Sequence, residues 1–396
     1  MALESGGGQD VDMRILCVHQ GYDLYGSDRC FIESVATLRE TWPLADIEVV
    51  VPRDGPIIAP LTQLATRVTI EPLLVIRRRG LLKWLATLPL ALGPALWRAA
   101  RRMQRADIVL VNTVVVLDYL LLARFFSSKT VVHVHEIPDG IKLRVFRALL
   151  RWTRAEIIFN SQATRRAYAL SAAGTEHVVY NGIAAPRLEH ASSYEGSRPL
   201  RLLMLGRINR IKGQDLLIEA LAGLPRDIAA RVEVRIVGGS FENDAAREAA
   251  LRRAVDAAGL SATVRFEAFT PDPAALYRWA DIVVVPSRLP ESLGRVAIEA
   301  MSYARPVIAA RIGGLVEIVE DRHTGWLVAP NDAAALAQVI ASALLAPDEW
   351  RSYGGRAQSR FEALFAAPAV KRQLAAIFAT RIRQLREQPV RDMARV

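Results

Sequence analysis

The chain has 396 residues, 52% of them hydrophobic and 23% charged. These proportions exclude disordered and fibrous classes, and the length exceeds what one ordinary core serves, so two domains of comparable size are expected. A formal net charge of +10 and a pI near 10.0 point to an anionic partner: a nucleotide, a phospholipid surface or nucleic acid. Lysine supplies only five of the 51 basic residues (Lys83, Lys129, Lys142, Lys212 and Lys371), so arginine carries the charge. The cysteines, Cys17 and Cys30, are too few for a disulfide framework or a four-ligand metal site and fit a reducing cytoplasm.

Residues 1–12 are polar and glycine-rich with no apolar h-region, which reads as a disordered leader rather than a secretory signal. Residues 13–185 alternate apolar runs (MRILCVH, IEVVV, IVLVN, TVVHVH, EIIFN, HVVYN) with helical patterns, the first from about Asp28, and so predict a parallel α/β sheet. Segment 76–105 carries Trp84 and Trp97 between basic clusters, as interfacial segments do, while Pro89, Gly93 and Pro94 argue against one continuous helix. Contact with an anionic membrane surface and two core helices with basic ends both remain open for it. The apolar run 108–126 contains Asn112, Asp118 and Arg124 and reads as a short buried strand followed by a helix.

A polar stretch, 186–199, reads as a linker. Residues 200–368 repeat the rhythm (RLLMLG, VEVRIVGG, TVRFEAF, DIVVVPS, PVIAA, GWLVAP), giving a second α/β domain, and 369–396 form a basic helical segment expected to pack across the domain junction. Open α/β sheets bind ligands at the carboxyl ends of their strands, so two such domains facing one another place the site in the cleft between them. In PSRLPESLGRVAIEAM, Glu291 and Glu299 stand eight residues apart around a helix start, roughly 12 Å if all eight were helical. The amides of residues 292–295 and the positive helix end would suit a diphosphate. In GRINRIKG, Arg207 and Lys212 follow a strand end, a rigid fork and a mobile point charge that also suit phosphate. Taken singly, each of these charges is equally well a solvated surface residue.

Taken in order, GRINRIKG, VGG, FTP, DIVVVPSRLPESLGRVAIEAM and ARPVIAARIGGLVEIVEDRHTGWLVAPND resemble the donor-binding domain of retaining GT-B glycosyltransferases of family 4, the group 1 glycosyltransferases, over about residues 200–346. The first half agrees more weakly, through a glycine-containing loop after the first strand, a histidine after a mid-domain strand and an NGI element near the linker. The resemblance implies an α/β protein of two Rossmann-like domains facing across a cleft. It further implies transfer of a sugar from a UDP- or GDP-linked donor, with retention of configuration, to a glycan or lipid-linked acceptor in bacterial polysaccharide or glycolipid assembly. The setting implied is cytoplasmic, peripheral on the inner membrane face.

Carried over by position, Arg207 and Lys212 would contact the diphosphate, Glu299 the ribose, and Glu291 with the backbone of Ser292, Leu293, Gly294 and Arg295 the transferred sugar and distal phosphate. Gly238, followed by Gly239, stands at the family's glycine turn, although GGS is shorter than the fuller pattern, and Phe269, with Thr270 and Pro271, at the turn that flanks the base. Gly26 and Ser27 replace a frequent glycine pair in the first loop, where Ser27 or Asp28 as an ordinary helix cap is an equal reading. His135, followed by Glu136, matches the family's histidine beside the reactive sugar; His133 reads as structural, and His19 as a further candidate. No cofactor and no metal are expected, the nucleotide-sugar being a co-substrate, and the one Asp-x-Asp pair, Asp10 and Asp12, lies in the leader. Front-face attack is expected, with a Glu291 nucleophile left open. The rival readings are a nucleotide-sugar epimerase or hydrolase of the same architecture and an inactive nucleotide-sugar-binding scaffold. Nucleic acid is disfavoured, since no aromatic-basic module accompanies the arginines.

Overall fold

A computed structural model describes residues 13–24, 26–75, 81–138, 140–170, 175–186, 194–239 and 245–387. The expected leader, the middle of the expected linker, the start of segment 76–105 and residues 388–396 lie outside that range. The chain divides into two compact units, Met1–Gly182 with Val370–Val396, and Ile183–Ala369.

The first unit holds seven parallel strands: β1 (Arg14–His19), β2 (Asp46–Val51), β3 (Arg67–Ile70), β4 (Ile108–Asn112), β5 (Thr130–Val134), β6 (Glu156–Phe159) and β7 (Glu176–Val178). Their order is β3-β2-β1-β4-β5-β6-β7. β4 and β5 are buried along their whole length, which is why IVLVN and TVVHV read as unbroken apolar runs rather than alternating ones. β3 did not show in the sequence, because it is an edge strand with no buried residue and so has no apolar run to read.

Residues 81–105 form one helix, Leu81–Arg105, with Pro89 and Pro94 inside it, contrary to the interruption expected there. Both prolines lie on exposed positions, so the carbonyl that each leaves without an N–H partner can be hydrated, while Ala95, Ala99 and Met103 hold the opposite side in the core. The C-terminal helix, Ala367–Glu387, belongs with this unit from Val370 onward. Val370, Leu374, Ile377, Phe378 and Ile382 enter the same core cluster as Phe31, Leu38 and Ile47, and Lys371 Nζ meets Glu40 at 2.7 Å.

The second unit holds six parallel strands: β8 (Leu200–Leu205), β9 (Val232–Val237), β10 (Val264–Glu267), β11 (Ile282–Val285), β12 (Val307–Ala310) and β13 (Gly325–Val328). Their order is β10-β9-β8-β11-β12-β13. Its two ends are joined: the Ile183 N–H donates to the Phe365 carbonyl at 3.0 Å and the Ala367 N–H to the Ile183 carbonyl at 2.9 Å. Asp281, buried at the start of β11, accepts both Arg198 guanidinium nitrogens (2.6 and 2.7 Å) and the Arg201 N–H (2.9 Å), tying the entry of β8 to that of β11. In each sheet the strand order reverses direction at one place, between β1 and β4 and between β8 and β11. The crevice outside the carboxyl ends of those strands is where such sheets bind ligands.

Candidate functional site

In the second unit the loops after β8 and β11 meet. Asn209 Oδ1 accepts the N–H groups of Ile211 and Lys212 (2.9 and 3.1 Å), curling the loop after β8. Lys212 Nζ then donates to Glu291 Oε2 at 2.8 Å, and Ser287 Oγ donates to Glu291 Oε1. A carboxylate has about four acceptor sites, so Glu291 keeps capacity for further hydrogen-bond donors. The backbone of Glu291 is held from behind by a Gly-Gly pair. Its carbonyl accepts the Gly314 N–H at 2.8 Å, and a Cβ on Gly313, whose φ is +58°, would lie 2.4 Å from that same oxygen. No side chain fits between this loop and Gly313.

The following helix runs Arg295–Ser302, because Gly294 is left-handed at φ +98° and caps it. Residues 291–294 are therefore loop, and the 12 Å helical spacing between the two glutamates does not hold. Leu293 is buried and anchors that loop, with half-buried Ser292 beside it. One helical turn on, Glu299 Oε1 accepts from Arg295 Nε and Oε2 from the Tyr277 hydroxyl, each at 2.8 Å. Tyr277 is fully buried and stacks on Tyr303, and burial with the adjacent Glu299 carboxylate pushes its hydroxyl well above the usual range, so it stays a donor. Tyr277 was missed in the sequence; its one signal was a tyrosine beside Leu276 on the buried side of a short helix.

The other residues expected to bind the donor follow the neighbouring strands in spatial order. Exposed Phe269 follows β10, Gly238 follows β9 and donates its N–H to the Glu267 carbonyl at 3.1 Å, and exposed Arg207 follows β8, its carbonyl accepting from Gln214 Nε2 at 3.0 Å. Phe269, Gly238, Arg207 with Lys212, and Glu291 thus line up along one carboxyl edge.

Gly26, Ser27, His135 and Glu136 belong to the first unit, and Glu291 and the donor-side residues to the second. The helix after β1 begins at Gly26 and runs Gly26–Thr41, with open space beside Gly26 where a Cβ would stand. Ser27 is half-buried in its first turn. Asp28 lies inside this helix, and its carboxylate meets His19 Nε2 at 2.8 Å. Register sets His19, Asn112 and His133 side by side across β1, β4 and β5. Asn112 Nδ2 lies 2.9 Å from His19 Nδ1, and Asn112 Oδ1 lies 2.9 Å from His135 Nε2. All four side chains, Asp28, His19, Asn112 and His135, are buried.

The His133 ring lies 4.0 Å from that of His135, and neither of its nitrogens has a hydrogen-bond partner. Burial pulls His133 down to about 3. Burial, then the neighbouring His133 and His19, pulls His135 well below the ordinary histidine range, against a smaller upward pull from Asn181. Both are neutral imidazoles. Glu136, enclosed by protein over most of its carboxyl, is pushed up to about 7 although it accepts the His135 N–H at 3.3 Å. Thr113, directly after Asn112, sits at φ +88°, a costly conformation for a β-branched residue and one found where function over-determines the backbone.

Two parallel α/β units of this construction are the GT-B fold of glycosyltransferases. Anabaena Alr3699/HepE, solved in complex with UDP, superposes with a TM-score of 0.76 at 24% identity over 93% of this chain and 100% of that one. Sucrose-phosphate synthase from Thermosynechococcus elongatus superposes with a TM-score of 0.71 at 22% identity over 93% and 98%. Residues 188–360, within the second unit, match the family of glycosyl transferases group 1. Among curated relatives, D-inositol 3-phosphate glycosyltransferase 2 of Catenulispora acidiphila is 36% identical over 197 residues, covering 48% of this chain and 46% of the relative. The D-inositol 3-phosphate glycosyltransferase of Frankia alni is 40% identical over 156 residues, 38% of each chain. The chain thus spans half or less of the length of these relatives.

Proposed function

We propose that the protein transfers a hexose from a UDP- or GDP-linked donor, with retention of configuration, to a glycan or lipid-linked acceptor. The observation that carries this reading is the Lys212–Glu291 pair, which bridges the loops after β8 and β11 at the switch point of the second sheet. A donor diphosphate is a stronger partner for Lys212 than a carboxylate. On its arrival Lys212, Arg207 and the start of helix Arg295–Ser302 take the phosphate charge, and Glu291 is released to accept sugar hydroxyls. Glu299, held by Tyr277 and Arg295, presents its remaining acceptor sites to the ribose hydroxyls. Charge on the leaving diphosphate is then met by these cations and amides without a metal. His135 contacts the transferred sugar. The group 1 match, the UDP found with the Anabaena protein and the glycosyltransferase names of the relatives support this reading.

The test is nucleoside diphosphate release from a panel of UDP- and GDP-hexoses, with lipid extract, oligosaccharides or inositol 3-phosphate as acceptor, in buffer with and without EDTA. Acceptor-dependent release that survives EDTA and yields a product with the donor's anomeric configuration supports the reading. Release without any acceptor indicates the hydrolase alternative, and inverted product removes the retaining mechanism.

The acceptor is proposed to reach the protein at an anionic membrane surface through residues 76–105. No helix among the described residues is long and apolar enough to cross a membrane. Helix Leu81–Arg105 instead exposes Leu90 (82%) and Trp97 (62%), and its Arg98, Arg101, Arg102 and Arg105 line, with Arg14, Arg67, Asp46 and Glu48, a cavity of about 600 Å³ in which Arg102 is paired with Glu48. Apolar contact beside clustered guanidinium groups suits an anionic interface. Sedimentation with phosphatidylglycerol liposomes at low salt, absent with phosphatidylcholine, is expected; equal indifference to both removes the membrane.

A further inference from the structure

The buried groups of the first sheet form a hydrogen-bond chain whose direction is fixed once His19 is neutral. Asp28, as a carboxylate, can only accept, so the proton it shares with His19 belongs to Nε2. A neutral His19 then has a lone pair at Nδ1, which must accept, and Asn112 turns its amide nitrogen to it. That leaves the Asn112 carbonyl oxygen facing His135, whose Nε2 must donate. His135 is thereby left with a lone pair at Nδ1, a buried atom that makes no hydrogen bond in this structure, with the Asn181 side chain also acting on the ring.

We propose that Asp28, His19 and Asn112 are positioning residues that hold His135 as the neutral Nε2–H tautomer and so make its Nδ1 a hydrogen-bond acceptor for a substrate hydroxyl. Three further features serve the same end. The His19 ring is stacked on Phe31 at 4.6 Å and nearly parallel to it, which fixes its plane. Gly21 leaves room for the Asp28–His19 pair, since a Cβ there would stand 1.8 Å from Asp28 Oδ1 and 2.6 Å from His19 Nε2. The strained Thr113 backbone sets the end of β4 where Asn112 can reach both rings. The chain joins β1 to β4 across the switch point and β4 to the residue after β5, so it fixes a side-chain orientation and not merely a packing contact. A second-neighbour carboxylate that fixes an imidazole tautomer is a general device of acid–base sites; here the carboxylate acts two groups away.

The proposal rests on the reading above only in taking the substrate hydroxyl to belong to the donor sugar. Full-length protein labelled with 15N-histidine is studied by long-range 1H–15N correlation at pH 7.5, and nucleoside diphosphate release is measured on the same preparations. In the wild type, His19 and His135 are both expected neutral with the proton on Nε2. Asp28→Asn can donate as well as accept, so the chain loses its direction. The His135 signal should move towards the Nδ1–H form, and kcat should fall on the order of tenfold with KM within about twofold. Gly21→Ala should act in the same sense. In a His135→Ala background Asp28→Asn should cost nothing further, whereas a merely structural Asp28 would still cost activity. Should Asp28→Asn not fold, Asn112→Asp replaces the donor facing His19 by an acceptor and should turn His19 into an imidazolium while His135 keeps its proton on Nε2.

A wild-type His19 imidazolium with His135 protonated on Nδ1, or a His135 signal indifferent to Asp28→Asn and Gly21→Ala, overturns the proposal. Tautomers that follow the chain while His135→Ala leaves turnover intact uphold the positioning and overturn the assignment of His135 to the sugar.

Discussion

The two sheets solve the same geometric problem with opposite materials. At the β8/β11 switch point the groups that meet are charged and half-buried: Lys212, Glu291 and, one turn on, Arg295 and Glu299. At the β1/β4 switch point they are Asp28, His19, Asn112 and His135, all buried and joined in one hydrogen-bond chain. A half-buried charged pair keeps part of its hydration and can exchange partners at lower cost than a fully buried one. A buried chain cannot, because each broken bond leaves a polar atom stranded in a low dielectric. The first arrangement suits a ligand that brings its own charge and displaces an ion pair. The second suits an orientation that must persist whether or not a ligand is present.

If this contrast is sound, substitutions in the two places should fail differently. The largest effect is expected from Lys212→Ala, which removes the cation proposed to meet the diphosphate: nucleoside diphosphate release should fall on the order of 100- to 1,000-fold while the fold, followed by circular dichroism, is retained. His135→Ala should lower kcat by roughly 10- to 100-fold yet leave the donor Kd within about twofold in equilibrium dialysis. An equal loss of donor affinity would erase the distinction between the two units. Gly313→Ala should displace the Glu291 loop, costing about 1–3 kcal/mol in urea unfolding and weakening donor binding without touching a charged group.

The smallest effect concerns pH. His133 refuses in the fold, down to about 3, a proton that the unfolded chain accepts near 6.5. Its contribution is therefore present above 6.5 and lost as the pH falls below it, by about 1.4 kcal/mol at pH 5.5. His133→Leu should flatten the acid limb of the stability curve by that amount and, by removing two unpartnered ring nitrogens, raise the midpoint at neutral pH. Glu136 runs the other way: its carboxyl is held protonated up to about 7, so its contribution is present below the unfolded value near 4.5 and lost as the pH rises through 7.

Most of the fold was legible because buried parallel strands appear as unbroken apolar runs, which is how β4, β5 and β11 announced themselves. β3 was not, since an exposed edge strand has no such run. Nor was the continuity of helix Leu81–Arg105, because whether a proline breaks a helix depends on where the freed carbonyl points. The charged residues of the second unit were legible because they follow strands in one local stretch of chain and share the group 1 pattern. The chain through Asp28, His19 and Asn112 was not: His19 stood out only as a lone histidine, Asp28 passed for a helix cap, and Asn112 was noted only as a polar break in an apolar run. Their partnership spans 93 residues and depends on β1 pairing with β4, which nothing local encodes. Tyr277 was hidden for the same reason, its hydroxyl reaching 22 residues along the chain to Glu299.

The return of helix Ala367–Glu387 to the first unit has a consequence for how the protein is made. During synthesis the first sheet emerges complete long before Val370, Leu374 and Phe378, and until they arrive the apolar face that holds Phe31 and Leu38 is uncovered. The second unit carries both of its own ends, joined at Ile183, and is finished as soon as residue 369 leaves the ribosome. The later-made half should therefore be the first to reach its native state, and a nascent chain arrested before residue 370 should expose its unfinished first sheet to chaperones.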